Sequence, residues 1–156
     1  MKFSSKHARI LLTVLNIFIL LMLVFIWGNS VLPARLSSAI SSFVTKLLGG
    51  EIVETHVRKA GHFTEFFLLG GGLGLRFALK EAKRREKALL LSFLALLIPL
   101  MDETIQMFND RGPQVRDIWI DIAGYTCGCL LALGLAATVK WIAMAKKGKQ
   151  KNDEAV

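Results

Sequence analysis

Eleven residues of this chain have types and spacings that permit chemistry. In the segment RKAGHFTEFFLLGGG, which begins at Arg58, the steps Arg58, His62, Glu65, Leu69, Gly72 place these residues on one helix face. Further on, Asp102 to Asp121 reads DETIQMFNDRGPQVRDIWID and sets seven charged side chains and Gln106 between two strongly apolar runs. His62 beside Glu65, facing Asp102 and Glu103, can move a proton, so these four are the candidate catalytic groups. Arg58, Arg111 and Arg116 offer forked donors to a phosphate or carboxylate. With Lys59, Gln106, Asp117 and Asp121 they make the candidate ligand-binding set.

No activated nucleophile accompanies them. Thr64 and Thr104 are the only hydroxyls expected at this depth, and neither sits in a triad context, which weighs against an enzyme. His62 is the only histidine firmly in the layer, with His56 in the loop before it. One histidine with carboxylates lacks a strong zinc spacing, so neither metal nor cofactor is expected. The alternative to a site is an ion-pair network that satisfies itself and fixes helix register, because buried charges pair whatever else they do. Residue types alone leave both readings open.

The elements that must position these groups are helices, and most are apolar. The chain has 156 residues, 53% of them hydrophobic, with a net charge of +8 and a mean hydropathy of +0.49. Ile10 to Trp27 is apolar except for Thr13 and Asn16, long enough with its flanks to cross a bilayer of about 20 residues' span. It exceeds the usual signal-peptide core of about 7–15 residues and reads as a retained helix. The basic residues cluster at the ends of apolar runs without interleaved aromatics, which suits anionic lipid headgroups and argues against nucleic acid. Cys127 and Cys129 are two apart in an apolar run, so on a helix they point in different directions and act as packing residues.

The expected architecture is all-α, an integral membrane bundle of about four transmembrane helices. Residues 1–9 form a basic terminus and 10–28 the first span. Residues 29–58 form a loop in which Leu36, Ile40, Phe43, Val44 and Leu47 recur at helical spacing. That pattern fits an amphipathic helix on the membrane surface or one folded over the end of the bundle. Residues 59–139 hold three further spans, the first from about Ala60 to Leu79. Gly70, Gly71, Gly72 and Gly74 there allow a neighbouring helix to approach closely, as do Gly124 and Gly128 in the last. The run Ala88–Met101 is only fourteen residues, so to cross it must carry Asp102, Glu103 and Gln106 below the interface, with Pro99 kinking the helix just before them. Asn109–Arg116 reads as a turn. Residues 140–156 are a basic tail, expected to be disordered after Lys149.

Fourteen of the twenty Lys and Arg residues lie in the N-terminus, the Arg76–Lys87 hinge and the C-terminal tail, which predicts those three on the cytoplasmic side. Counting about 20 residues out from each cytoplasmic boundary brings Glu65, Asp102, Glu103 and Asp121 to one depth, just beneath the outer interface.

RKAGHFTEFFLLG, DETIQMF, Arg111 and DIWIDIAG, in this order across roughly Arg58 to Gly134, resemble the VanZ-like family of small bacterial membrane proteins. The family's polar pattern maps onto Lys59, His62, Glu65, Asp102, Glu103, Gln106, Arg111, Asp117 and Gly124, while many relatives carry Asn where this chain has Asp121. The resemblance implies a multi-pass protein of the bacterial cell membrane. It also implies a link to the cell envelope, since the founding member is associated with resistance to teicoplanin and related lipoglycopeptides. Three functions follow as expectations. The chain binds lipid-linked or lipid-tailed ligands (a cell-wall precursor or a lipoglycopeptide) at its outer face. Alternatively, it is an enzyme modifying a lipid or cell-wall precursor headgroup. A third role is structural partner of another membrane protein.

Overall fold

The computed structural model describes residues 5–47, 54–80, 83–109 and 114–153. They form five helices, α1 (Ser5–Val31), α2 (Ala34–Leu47), α3 (Glu54–Leu79), α4 (Arg84–Met107) and α5 (Val115–Asp153), with no strand among the described residues. The chain is all-α. Three helices are long and apolar enough to cross a membrane, over Arg9–Val31, Arg84–Met107 and Val115–Lys146. Their outward faces are large and apolar, with Leu20, Leu21, Val24, Phe93, Leu96, Leu130 and Leu135 all exposed, as lipid-facing surfaces are.

Helix α3 differs in kind. Its histidine, glutamate, arginine and glycines lower its hydropathy, yet it is the best-buried helix of the bundle, with Phe66 and Leu69 fully enclosed and Leu73 and Phe77 nearly so. It packs mainly along α5 through a seam of glycines. A Cβ on Gly70 would collide with the backbone of Tyr125, one on Gly124 with the carbonyl of Phe63, and one on Gly128 with the carbonyl of Phe67. No side chain fits between the two backbones, so they touch directly. The matched order of these contacts shows that α3 and α5 run parallel.

Some polar groups within the helices are paired across them. Asn16 Oδ1 of α1 accepts from Arg76 Nε of α3 at 2.6 Å. At the C-terminus of α3, where carbonyls lack helical partners, Lys140 Nζ of α5 donates to the Ala78 carbonyl at 3.1 Å and Lys87 Nζ to that of Lys80. Helix α4 continues through Pro99, which is fully buried. Its 24 residues reach to Met107 and bring Asp102, Glu103 and Gln106 inside the bundle.

The boundaries depart from the sequence reading in three places. Helix α3 starts at Glu54, so His56 stands on its first turns rather than in a loop. Helix α5 starts at Val115, which puts Arg116 on a helix rather than in a turn. The expectation of a disordered tail after Lys149 is corrected, because α5 continues to Asp153. That stretch is Gln150, Lys151, Asn152 and Asp153, and no proline or glycine interrupts it. Glu81 and Ala82 of the hinge, and Asp110 to Pro113 of the turn, lie outside the described residues.

Helix α2 is amphipathic and docks against α3. Ser41 is buried in that contact, whereas Leu36, Ile40, Phe43 and Leu47 are exposed. The serine side faces the bundle and the apolar side faces away from it, so docking and an outward apolar face coexist.

Candidate functional site

The polar layer forms because three helices end their apolar runs at the same depth. Helix α4 contributes Asp102, Glu103 and Gln106, α5 contributes Asp117 and Asp121, and α3 contributes Arg58, His62 and Glu65. The glycine seam decides how close they come. Gly124 lies three residues past Asp121 and rests on the backbone of Phe63, the neighbour of His62. At that contact His62 Nδ1 stands 3.4 Å from Asp121 Oδ1 and 3.9 Å from Asp102 Oδ2. Asp102 and Asp121 have no accessible surface and His62 retains 6%.

Asp102 is held from two sides. Ser30 Oγ of α1 donates to Oδ1, and Gln106 Nε2 donates to Oδ2 at 2.7 Å, one turn along the same helix. Asp121 is not held in this way. Neither of its carboxylate oxygens has a hydrogen-bond partner, and neither has His62 Nδ1, because their ion-pair contact is not aligned for one. One ligand atom from each of His62, Asp102 and Asp121 can be chosen so that all three lie within 4.8 Å of one another.

Glu65 lies to one side, where its Oε1 accepts from Asn29 Nδ2 of α1 at 3.1 Å. Glu103 departs from the grouping expected of it. Rather than facing His62, its Oε1 accepts from the backbone N–H of Gln114, immediately before α5. A carboxylate there satisfies an orphan donor and complements the helix dipole, which is a structural role. Arg58 pairs with Asp117 at 3.7 Å. Lys59 is half-buried on α3, and Arg116 is exposed on α5 outside the cluster. Arg111 lies outside the described residues.

Sequence reasoning missed two members. Ser30 is buried on Asp102, which corrects the expectation that Thr64 and Thr104 are the only hydroxyls at this depth. Those two threonines are exposed and donate to carbonyls of their own helices, Ala60 at 2.7 Å and Leu100 at 2.6 Å. The second is Asn29, and the depth count that found the acids could have found both, since it ends at the last turn of α1 when started from Arg9. Tyr125, fully buried with its hydroxyl unpartnered, belongs instead to the hydrophobic core. Cys127 is exposed and Cys129 buried, and both are free.

Beside the cluster lies a cavity of about 680 Å³ between α1, α2 and α3. Met22, Phe25, Val44 and Leu68 give it apolar walls, while Arg58, His62 and Glu65 give it a polar side.

The family model described as VanZ/LLP1 matches residues 8–138. The chain belongs to the VanZ/LLP1 family. The match extends the resemblance read on Arg58–Gly134 back to α1, so it covers every helix that feeds the polar layer of this VanZ/LLP1 protein. No curated protein and no solved structure matches the chain significantly. Family membership and three membrane-length apolar helices together describe a multi-pass membrane protein.

Proposed function

We propose that this VanZ/LLP1 protein crosses the bacterial cell membrane four times, with both termini in the cytoplasm. In this reading it binds the polar end of a lipid-tailed or lipid-linked ligand at its outer face and so lowers sensitivity to lipoglycopeptides of the teicoplanin type. The observation that carries the reading is the cavity beside His62. Apolar walls next to Arg58, His62 and Glu65 suit a molecule with a hydrocarbon part and a charged headgroup. The fourth pass is supported by the parallel contact of α3 with α5 from Phe63 onward. The orientation is supported by the fourteen basic residues at the opposite end of the bundle. The exposed apolar face of α2 suits the outer leaflet above the cavity.

A second reading, modification of a lipid or precursor headgroup, is favoured by one contact: the buried Ser30 hydroxyl rests on Asp102, within the histidine–aspartate cluster. A change in extracted lipids that depends on the protein's turnover would select it over binding alone.

The test of the first reading is deletion of the gene and its restoration, with a susceptibility panel. Deletion should sensitise cells to acyl-tailed glycopeptides more than to a glycopeptide without the tail, and restoration should reverse this. Unchanged susceptibility to every member of the panel would overturn the reading.

A further inference from the structure

We propose that His62, Asp102 and Asp121 bind a first-row divalent metal ion, Zn²⁺ or Mn²⁺ by ligand chemistry, through His62 Nδ1 and one oxygen of each aspartate. One imidazole with two carboxylates is a mixed nitrogen–oxygen set, which suits borderline Zn²⁺, and Mn²⁺ among the harder ions, better than Mg²⁺ or Ca²⁺. The ligands come from three helices, so no short sequence spacing announces them.

Four observations converge on this trio. The first is distance. Around a tetrahedral ion with bonds of about 2.1 Å, neighbouring ligand atoms lie about 3.4 Å apart. His62 and Asp121 already stand at 3.4 Å, and His62 and Asp102 at 3.9 Å.

The second is the unpartnered Asp121. Both its oxygens and His62 Nδ1 are buried without a hydrogen bond, although buried polar groups ordinarily find one. His62 Nδ1 and one Asp121 oxygen belong to the ligand set, so one cation between them satisfies both of these atoms.

The third is charge. When both are ionised, two fully enclosed aspartates beside a neutral imidazole carry two negative charges, which a divalent ion balances. A proton on His62 would balance only one of them.

The fourth is the support around Asp102. Ser30 and Gln106 each donate to one of its oxygens and fix the plane of the carboxylate, as partners of metal-ligating carboxylates do. Glu65, the remaining acid facing this region from α3, is held apart by Asn29. Three protein ligands leave at least one position for water or an anionic group. His62 also lines the cavity, so the ion and whatever enters the cavity share a wall.

The metal and the cavity's ligand are separable, because metal uptake is read on the purified protein alone. The full-length chain is prepared in detergent with a tag that binds no metal, stripped with chelator, and offered Zn²⁺, Mn²⁺ or Co²⁺. The wild type should retain about one equivalent per chain of at least one of these ions, and Co²⁺ should produce visible d–d absorption. Asp121→Asn should lose the retained metal and the Co²⁺ bands. Gln106→Leu, which leaves the ligands in place, should weaken affinity about 10–100-fold. Thr104→Val, a change at an exposed position of α4 outside the cavity, should bind as the wild type does. Should Asp121→Asn fail to fold, the wild type still decides: chelator should lower its melting temperature and Zn²⁺ or Mn²⁺ restore it. Uptake no greater in the wild type than in Asp121→Asn would overturn the site. So would a wild type that retains no metal and melts at the same temperature with and without chelator.

Discussion

Asp121 Oδ1 stands 3.4 Å from His62 Nδ1, and neither atom has a hydrogen bond. The two residues sit on parallel helices whose backbones touch one turn away, through Gly124 and Phe63. Removing either partner alone leaves an uncompensated polar or charged group in a fully enclosed setting, which costs about 3–5 kcal/mol for a buried pair. Asp121→Leu and His62→Leu should each lower folded abundance in the membrane, and the double variant should lose less than the sum. A double-mutant cycle on melting temperature in detergent measures this; strict additivity would mean the pair is not coupled.

The glycine seam makes a sharper prediction. Gly128→Ala and Gly70→Ala place a methyl against backbone that has no rotamer to escape into, so each should destabilise by about 1–3 kcal/mol or more. Gly134 has nothing within 4 Å of its added Cβ, and Gly134→Ala should be neutral or slightly stabilising by helix propensity. Equal effects at Gly128 and Gly134 in a detergent melt would remove the seam as the organiser of the polar layer.

Glu103 serves the start of α5 rather than the histidine cluster. Glu103→Gln keeps an acceptor for the Gln114 N–H and should cost little, whereas Glu103→Ala should cost about 1 kcal/mol, the usual loss of a helix cap. Neither should alter the Co²⁺ spectrum of the trio. A Glu103→Ala protein that keeps full stability but loses metal would place Glu103 in the site instead.

Orientation is tested by impermeant thiol labelling of intact cells, in a background where Cys127 and Cys129 are replaced. Ser38→Cys and Gln114→Cys should be labelled and Lys83→Cys should not. All three positions are exposed, whereas Ser41 is turned into the bundle and would report poorly. Labelling only at Lys83 would put the polar layer on the cytoplasmic side.

The apolar side of α2 carries a fifth expectation. Phe43 is 68% exposed and Leu47 76% exposed, so Phe43→Ser with Leu47→Ser should leave the bundle's melting temperature in detergent unchanged. If that face enters a leaflet, a fluorescent probe at Phe43 should emit further to the blue than one at Ser38 when the protein is in lipid nanodiscs. A probe that reports water in lipid would show the face is not membrane-bound.

The sequence by itself determined the class of the protein and the level along the helices at which its polar residues gather. Apolar run length and the positions of basic residues act locally on each helix, so they set where Glu65, Asp102 and Asp121 lie along the bundle axis. Glycine spacing likewise announced that α3 and α5 contain surfaces for close approach. Which groups meet within that layer was not legible. Asp102 and Glu103 are adjacent in the chain, yet one joins His62 and Ser30 while the other caps α5. Successive helical residues point about 100° apart, and only the packing of neighbouring helices decides what each direction finds. For the same reason the histidine and two aspartates, spread over three helices, carried no metal-like spacing. Only the tertiary structure brings their ligand atoms within 4.8 Å, because the backbone contact at Gly124 and Phe63 removes the distance a side chain would otherwise keep.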